Sequence, residues 1–399
     1  MKRVTIVGMG MGNPDTLTVG ALRALREARL IVGAQRLLDT LPDGCPARRV
    51  PAVRPDDTAA ALCEFPACVV MSGDTGFYSG TKRLLPLLSG LDVSVLPGIT
   101  TVQYFASRLG RPWQDVTLVS AHGLECNVIG AVLGGRETFF LTGGAVTPSS
   151  IAQRLTDAGL GALTLHVGQR LSYGDESIVS GPAVELAGQS FDTLSAVWAE
   201  AVPPAFSMLG GGIADDAFLR GDVPMTKREV RAAIPGLLEL QPGGVVWDVG
   251  AGTGSVSVEL ALLDPGAQVF AVEQKPAACD LILRNREKFG VWNLTLIPGT
   301  APEALAGLPA PDAAFIGGSA GNLAEILRIL HDKNPAVRVC ISAIAAETFA
   351  EAAGLLSWAP WEGLEITQLA AARSRRAGAY HLMAGQNPIW LLSARGAAE

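Results

Sequence analysis

Asp248-Val249-Gly250-Ala251-Gly252-Thr253-Gly254 places three glycines at alternate positions, straight after the apolar run Val245 to Val249 and straight before the helix-forming run Ser255 to Leu263. Glycine has no Cβ, so a chain of this kind can turn sharply and let a ligand approach its backbone, while the helix start presents unpaired N–H groups. Glu273 closes the next apolar run, 19 positions after Gly254. A carboxylate there can accept hydrogen bonds from both ribose hydroxyls of an adenosine-bearing cofactor. Dinucleotide-binding loops usually space their glycines G-x-G-x-x-G and so leave room for a pyrophosphate. The third glycine here comes one residue early, and an acid precedes the loop, a pattern better suited to a nucleoside cofactor without a pyrophosphate. A glycine-rich turn without a ligand and an NAD site are the alternatives.

The first half holds a second run, Gly8-Met9-Gly10-Met11-Gly12-Asn13-Pro14, after the apolar stretch Val4 to Val7. It does not fit a dinucleotide site, because no helix cap is available until Thr16 or Thr18 and the helix N-terminus is displaced from the glycines. Taken alone it reads equally well as a turn. Three more segments stand at strand ends: Ser72-Gly73-Asp74-Thr75-Gly76-Phe77-Tyr78-Ser79, Leu96-Pro97-Gly98-Ile99-Thr100-Thr101 and Leu171-Ser172-Tyr173-Gly174-Asp175-Glu176. In an open parallel sheet the carboxyl ends of the strands line one crevice, so the first two segments and the Gly8 run should meet there.

Together these segments resemble the tetrapyrrole methylases, which typically carry G-x-G-P-G-D-P, S-G-D-P-x-x-Y and P-G-I-T/S at these points. Met11, Asn13 and Thr75 depart from that pattern. The Asp248–Gly254 loop resembles motif I of the Rossmann-like methyltransferases, whose acid helps hold the methionine ammonium end of the cofactor. The two in this order, with Met225-Thr226-Lys227-Arg228-Glu229-Val230-Arg231 at the junction and Phe315-Ile316-Gly317-Gly318-Ser319 after a later strand, resemble the fused decarboxylating precorrin-6Y methyltransferases of cobalamin biosynthesis. The resemblance covers nearly the whole chain.

That resemblance implies S-adenosylmethionine as cofactor. In the second half it would be held by Thr226, Gly250, Ala251, Gly252, Thr253, Gly254, Glu273 and Ala301, and in the first by Asp74, Phe77, Thr100, Thr101 and Thr142. It implies a precorrin-type tetrapyrrole facing Gly10 and Gly12 in the first half and Gly317, Gly318 and Ser319 in the second. The implied reaction is methylation at carbons 5 and 15 with loss of the ring-C acetate carboxyl, giving precorrin-8X, with carbon 5 assigned to the first half and carbon 15 to the second. No catalytic base follows, because a sulfonium already activates its methyl group and positioning supplies most of the rate.

A substrate rich in carboxylates calls for cations around the pocket mouth. Arg373, Arg375 and Arg376, expected in the loop before the last strand, are candidates for that rim, and a solvated basic loop explains them equally well. Arg108 and Arg111 are weaker candidates, and His122 and His166 read as hydrogen-bonded structural residues. An NAD-dependent oxidoreductase and a non-catalytic tetrapyrrole-binding protein stay open as alternatives.

The elements that must position these residues follow from periodicity. Thr18 can cap a helix whose Leu22 and Leu25 share a face, Leu30 to Val32 returns as strand, and Thr138 to Leu141 is a strand before a helix opened by Pro148. The first half is therefore α/β, dividing into two lobes near Thr142. Val202-Pro203-Pro204 and Gly210-Gly211-Gly212 bracket a linker, with domains at 1–205 and 210–399 and the second core starting near Ile213. There, strands at Val245 to Val249, Gln268 to Val272, Leu294 to Ile297 and Ala313 to Ile316 alternate with helices. That spacing builds a doubly wound parallel sheet, closed by Leu364 to Leu369 and Ile389 to Leu392 as an antiparallel pair. The expected fold class is thus α/β, a two-lobed tetrapyrrole methylase fold followed by a doubly wound Rossmann-like methyltransferase sheet.

Composition narrows the remaining classes. The 399 residues are 49% hydrophobic and 17% charged, enough apolar material for two cores. A net charge of −7 with scattered Lys and Arg argues against nucleic-acid or anionic-membrane binding. No stretch approaches the roughly 20 apolar residues of a membrane span, and Gly8 ends the first apolar run too early for a signal peptide. Six cysteines without a C-x-x-C pair suit reduced thiols in a cytoplasm, and four dispersed histidines leave little for a protein-held metal. A homo-oligomer is expected, since both component families tend to self-associate.

Overall fold

The computed structural model describes residues 2–122, 126–203 and 211–397. The expected domain limits at 205 and 210, with Pro204 and Gly210 of the linker, lie outside the described residues. The chain forms two compact units, one of Met1–Cys126, Arg136–Asp157 and Gly161–Ala201, the other of Val202–Glu399 with Asn127–Gly135 and Ala158–Leu160.

The first unit has two lobes. In the N-terminal lobe, β1 (Arg3–Gly8), β2 (Leu30–Gly33), β3 (Arg48–Pro51), β4 (Ala67–Met71) and β5 (Asp92–Leu96) form a parallel sheet in the order β3-β2-β4-β1-β5. Alternate residues serve two cores: Val7, Ile31 and Val70 pack on one face, and Ile6, Leu30 and Val69 on the other. Thr18 caps the helix Val19–Glu27 by accepting from Ala21 N at 3.1 Å, as its hydroxyl and position predict. The second lobe joins β6 (Thr117–Ser120), β7 (Thr138–Leu141), β8 (Thr164–Gln169), β9 (Ser177–Pro182) and β10 (Ser195–Ala199) in the order β6-β7-β10-β8-β9. Only β6 and β7 pair in parallel. Phe139 and Trp198 from this sheet and Phe105 from the helix Thr101–Leu109 make its core.

In the second unit, β11 (Val245–Val249), β12 (Gln268–Glu273), β13 (Leu294–Pro298), β14 (Ala313–Ile316), β15 (Arg338–Ala343), β16 (Trp361–Leu369) and β19 (Ile389–Gly396) form one sheet, with the hairpin β17 (Ala372–Ala377) and β18 (Tyr380–Gly385) separate from it. The order β13-β12-β11-β14-β15-β19-β16 runs outward both ways from β11 and β14, so the sheet is doubly wound. The β11–β15 block is parallel, and β19 and β16 close it antiparallel. Both faces are covered: Val246, Ala271 and Phe315 pack under the helices Arg228–Leu238, Ser255–Leu263 and Pro276–Phe289, and Trp247, Val272 and Ile316 under Leu323–Lys333 and Ala346–Leu356. Among the described residues no helix is long and apolar enough to cross a membrane.

Candidate functional sites

The strand order of the second unit puts the reversal point between β11 and β14, and the two glycine turns that follow these strands touch there. Gly250 has φ +73°, and a Cβ on it would lie 2.6 Å from Gly318 O and 2.8 Å from Gly318 N. Gly317 N donates to Val249 O at 2.9 Å. Absence of side chains at 250 and 317 is what lets the two backbones meet. Above them opens a cavity of about 670 Å3, lined by Gly250, Ala251, Gly252, Glu273, Ala301 and Gly317–Ser319 among others. Thr226 lines it as well, on the segment 223–227 that leads into the helix Arg228–Leu238.

Glu273, at the end of β12, is buried. Its Oε2 accepts from Gly252 N at 2.8 Å, and its Oε1 accepts from Gln274 N and Lys275 N, each at 2.9 Å. The carboxylate thus fixes the glycine loop to the end of the neighbouring strand, with one lone pair of Oε2 unengaged by these bonds. Two of the expected cofactor residues stand behind this wall instead of on it. Thr253 is 1% exposed, with its carbonyl receiving Asn285 Nδ2 at 3.0 Å, and Gly254 starts the helix Ser255–Leu263 with φ +74°, its missing Cβ making room for Ile282. Both shape the turn without lining the cavity. Asp248 is also behind it: burial pushes its carboxyl up to about 6 against the opposing hydrogen bond from Ser257 Oγ, and its Oδ1 has no hydrogen-bond partner among the described residues.

The expected arginine rim is not found. Arg373, Arg375 and Arg376 lie in the strand β17 of the hairpin, not in a loop, and none lines the cavity. Arg373 donates to Glu229 through Nε and Nη2 at 2.8 and 2.7 Å and to Asp215 through Nη1 at 2.7 Å, so its charge is already matched by two carboxylates. Arg376 donates to Gly378 O, while the cations that do line the cavity are Lys227 and Lys275. Among the described residues neither lysine has a carboxylate within ion-pair distance.

A buried arginine that the sequence reading did not single out holds the wall in place. Arg231, whose side chain is fully buried, donates to Glu259 Oε1 at 2.7 Å, to Asp215 Oδ1 at 2.9 Å and to the carbonyls of Thr226 and Ile213. Glu259 also accepts from Gly212 N and Ile213 N at 2.8 and 2.9 Å. Residues 212 to 226 are thereby pinned at both ends, with Thr226 at the cavity edge. Arg231 lies on the same helix stripe as Ile234 and Leu238, and Glu259 inside an otherwise apolar helix; a charge in either setting must be paired.

In the first unit, the expected convergence of loops is present. Gly10 and Gly73 exchange backbone hydrogen bonds at 3.1 and 2.9 Å, and a Cβ on Gly98 would lie 2.2 Å from Gly73 O. Asp74 ties two of the loops, accepting from Gly76 N at 2.8 Å and Gly98 N at 2.9 Å. A cavity of about 260 Å3 lies here between the lobes, lined by Gly10, Asp74, Phe77, Thr101 and Thr142. Gly12 and Thr100 do not line it. Gly12 is backed by the Tyr173 hydroxyl, 2.7 Å from where a Cβ would sit, and Thr100 caps the helix Thr101–Leu109 in a reciprocal box with Gln103. The Thr142 hydroxyl donates to Ser195 O at 2.6 Å. Asn13 caps the turn Pro14–Thr16 and donates from Nδ2 to Ser172 O at 2.9 Å, linking the lobes.

The weaker candidates are paired. Arg108 meets Glu176 at 2.6 Å, and Arg111 bridges Glu137 and Glu200. His166 Nδ1 is 2.7 Å from Ser180 Oγ, whereas His122, 3.3 Å from Thr142 O, lines the cavity.

Residues 3–187 match the family of tetrapyrrole (corrin/porphyrin) methylases, and residues 216–395 match the precorrin methyltransferase domain. A Sinorhizobium protein named precorrin-6Y C(5,15)-methyltransferase (decarboxylating) is 32% identical over 323 residues, 79% of this chain and 78% of the relative. A Salmonella typhimurium protein named cobalt-precorrin-6B C(15)-methyltransferase (decarboxylating) is 38% identical over 181 residues, 45% of this chain and 93% of the relative.

Proposed function

Because the chain belongs to the family of precorrin-6Y C(5,15)-methyltransferases (decarboxylating), we propose that it transfers two methyl groups from S-adenosylmethionine to carbons 5 and 15 of a precorrin-6Y-type ring. It also removes the ring-C acetate carboxyl, giving precorrin-8X in cobalamin biosynthesis. Carbon 15 and the decarboxylation belong to the second unit, and carbon 5 to the first. The observation that carries this reading is the contact of the Gly250 and Gly317–Gly318 turns, with the Glu273 carboxylate beside them, around a cavity at the carboxyl ends of parallel strands.

The second cavity fits the cofactor in three respects. Its floor is backbone that a Cβ would block, Glu273 retains an acceptor site for a ribose hydroxyl, and Ala301 and Thr226 form side walls without bulk or charge. When bound, S-adenosylmethionine supplies a methyl group already activated by its sulfonium. The residues of the chain then need only hold and orient. Gly317 and Gly318 let a broad flat ring lie close to the backbone, Lys227 and Lys275 match its carboxylates, and Met225, Val230 and Ile389 keep water from part of the wall. Loss of carbon dioxide leaves the bonding electron pair on the former acetate carbon, where the conjugated ring accepts it until a proton from solvent completes the methyl group. Apolar walls favour the departure of the buried carboxylate as neutral carbon dioxide.

Titration with S-adenosylmethionine tests the reading against an oxidoreductase. Two sites per chain, with no heat from NADH, are expected; NADH binding without S-adenosylmethionine binding would overturn it.

A further inference from the structure

Arg36 is the second residue of the short helix Gln35–Asp39 that follows β2, and it lines the cavity of the first unit. Its partners are two hydroxyls, Tyr173 Oη at 3.2 Å from Nη1 and Ser72 Oγ at 3.5 Å from Nη2. Both hydroxyls accept through lone pairs and carry no charge, so they leave the cation unmatched. The other charged side chains of the same cavity are engaged elsewhere. Arg170 pairs with Asp175 at 2.6 Å and Asp192 at 3.8 Å, and both oxygens of Asp74 accept backbone N–H groups of Gly76 and Gly98. Among the described residues Arg36 has no carboxylate within ion-pair distance.

Three separate segments deliver this group: the helix after β2, the Ser72 loop after β4, and the Tyr173 loop of the second lobe. Tyr173 in turn occupies the space left by the missing side chain of Gly12. The guanidinium is therefore held at the mouth of a cleft whose two walls it touches through Ser72 and Tyr173, with a planar fork of donors to spare.

We propose that Arg36 is the carboxylate anchor of the first unit, binding an acetate or propionate side chain of the tetrapyrrole and so setting which ring carbon faces the methyl donor. Ser72 and Tyr173 position the guanidinium. The proposal rests on the function given above and adds to it the residue that orients the substrate in one of the two cavities.

The test uses the full chain, whose second unit supplies an internal reference. Arg36→Ala and Arg36→Lys are compared with the unaltered chain by mass spectrometry of turnover mixtures and by calorimetric titration with S-adenosylmethionine. Removing a charge-assisted pair is expected to raise the KM of one methyl transfer roughly ten- to hundredfold. Arg36→Ala should then accumulate a decarboxylated product one methyl group short, with cofactor affinity unchanged at both sites, and Arg36→Lys should recover part of the lost transfer. Full double methylation at unchanged KM overturns the proposal. So does weakened cofactor binding, or equal loss of both transfers, since either places Arg36 in support of the fold or cofactor. Failure of the unaltered chain to methylate at all would instead refute the proposed function.

Discussion

Gly250→Ala probes the contact on which the second cavity is built. Position 250 has φ +73°, where an L-residue costs about 1–2 kcal/mol more than glycine. The added Cβ would meet Gly318 O at 2.6 Å, N at 2.8 Å and Cα at 2.9 Å, all backbone atoms that no rotamer change can move. The two turns must separate, and forced overpacking of this kind costs about 1–3 kcal/mol. The sum is about 2–5 kcal/mol, drawn from the loops that floor the cavity. At about 1.4 kcal/mol per tenfold, even the lower figure weakens S-adenosylmethionine roughly thirtyfold at this site. Gly318→Ala is the control: a Cβ there has nothing within 4 Å and the backbone is not left-handed, so thermal stability should hold or rise slightly. Calorimetry and melting curves on both variants give the answer. If Gly250→Ala bound cofactor at both sites and melted like the unaltered chain, the contact would not define the site.

Three further changes probe the surrounding framework. Glu273→Gln puts an amide where three backbone N–H groups need acceptors, so at least one bond of about 1.5–3 kcal/mol is lost and calorimetry should show cofactor affinity at least tenfold weaker; unchanged affinity would remove Glu273 from the site. Arg231→Met leaves Glu259 buried without its cation and should cost about 3–5 kcal/mol in denaturant unfolding, part of it recovered by adding Glu259→Gln; a wild-type midpoint would contradict the clamp. For Asp248, the carboxyl is raised from 3.8 to about 6 in the folded chain, so between those values the native state binds more protons than the unfolded one. Stability relative to Asp248→Asn should therefore fall as pH rises from about 4 to about 6, by on the order of 3 kcal/mol, and level off above. A difference that did not vary with pH would show that the carboxyl titrates normally.

What could be read in the sequence was local. The strand, glycine turn and helix around 245–263, the Thr18 cap and the helix start at Pro148 depend on residue types within a few positions, and each stands where expected. Glu273 was legible because the spacing from the loop to the end of the next strand varies little in such folds. Charge pairing was not legible. Arg373 finds Glu229 and Asp215, 144 and 158 positions earlier, and a cation in a sequence carries no mark of the acid that will meet it. The same blindness hid Arg36, whose value lies in the carboxylate it lacks. Thr253, Gly254, Gly12 and Thr100 stand in the expected loops but do not line the cavities. Which face of a turn meets the ligand depends on neighbours such as Asn285, Ile282, Tyr173 and Gln103, distant or conformational facts that a motif does not contain.

The most direct measurement is mass spectrometry of the tetrapyrrole after incubation with the full chain and S-adenosylmethionine. The expected product has gained two methyl groups and lost one molecule of carbon dioxide, with two equivalents of cofactor consumed per ring. Recovery of the ring at its starting mass, with the cofactor intact, would contradict the proposed function.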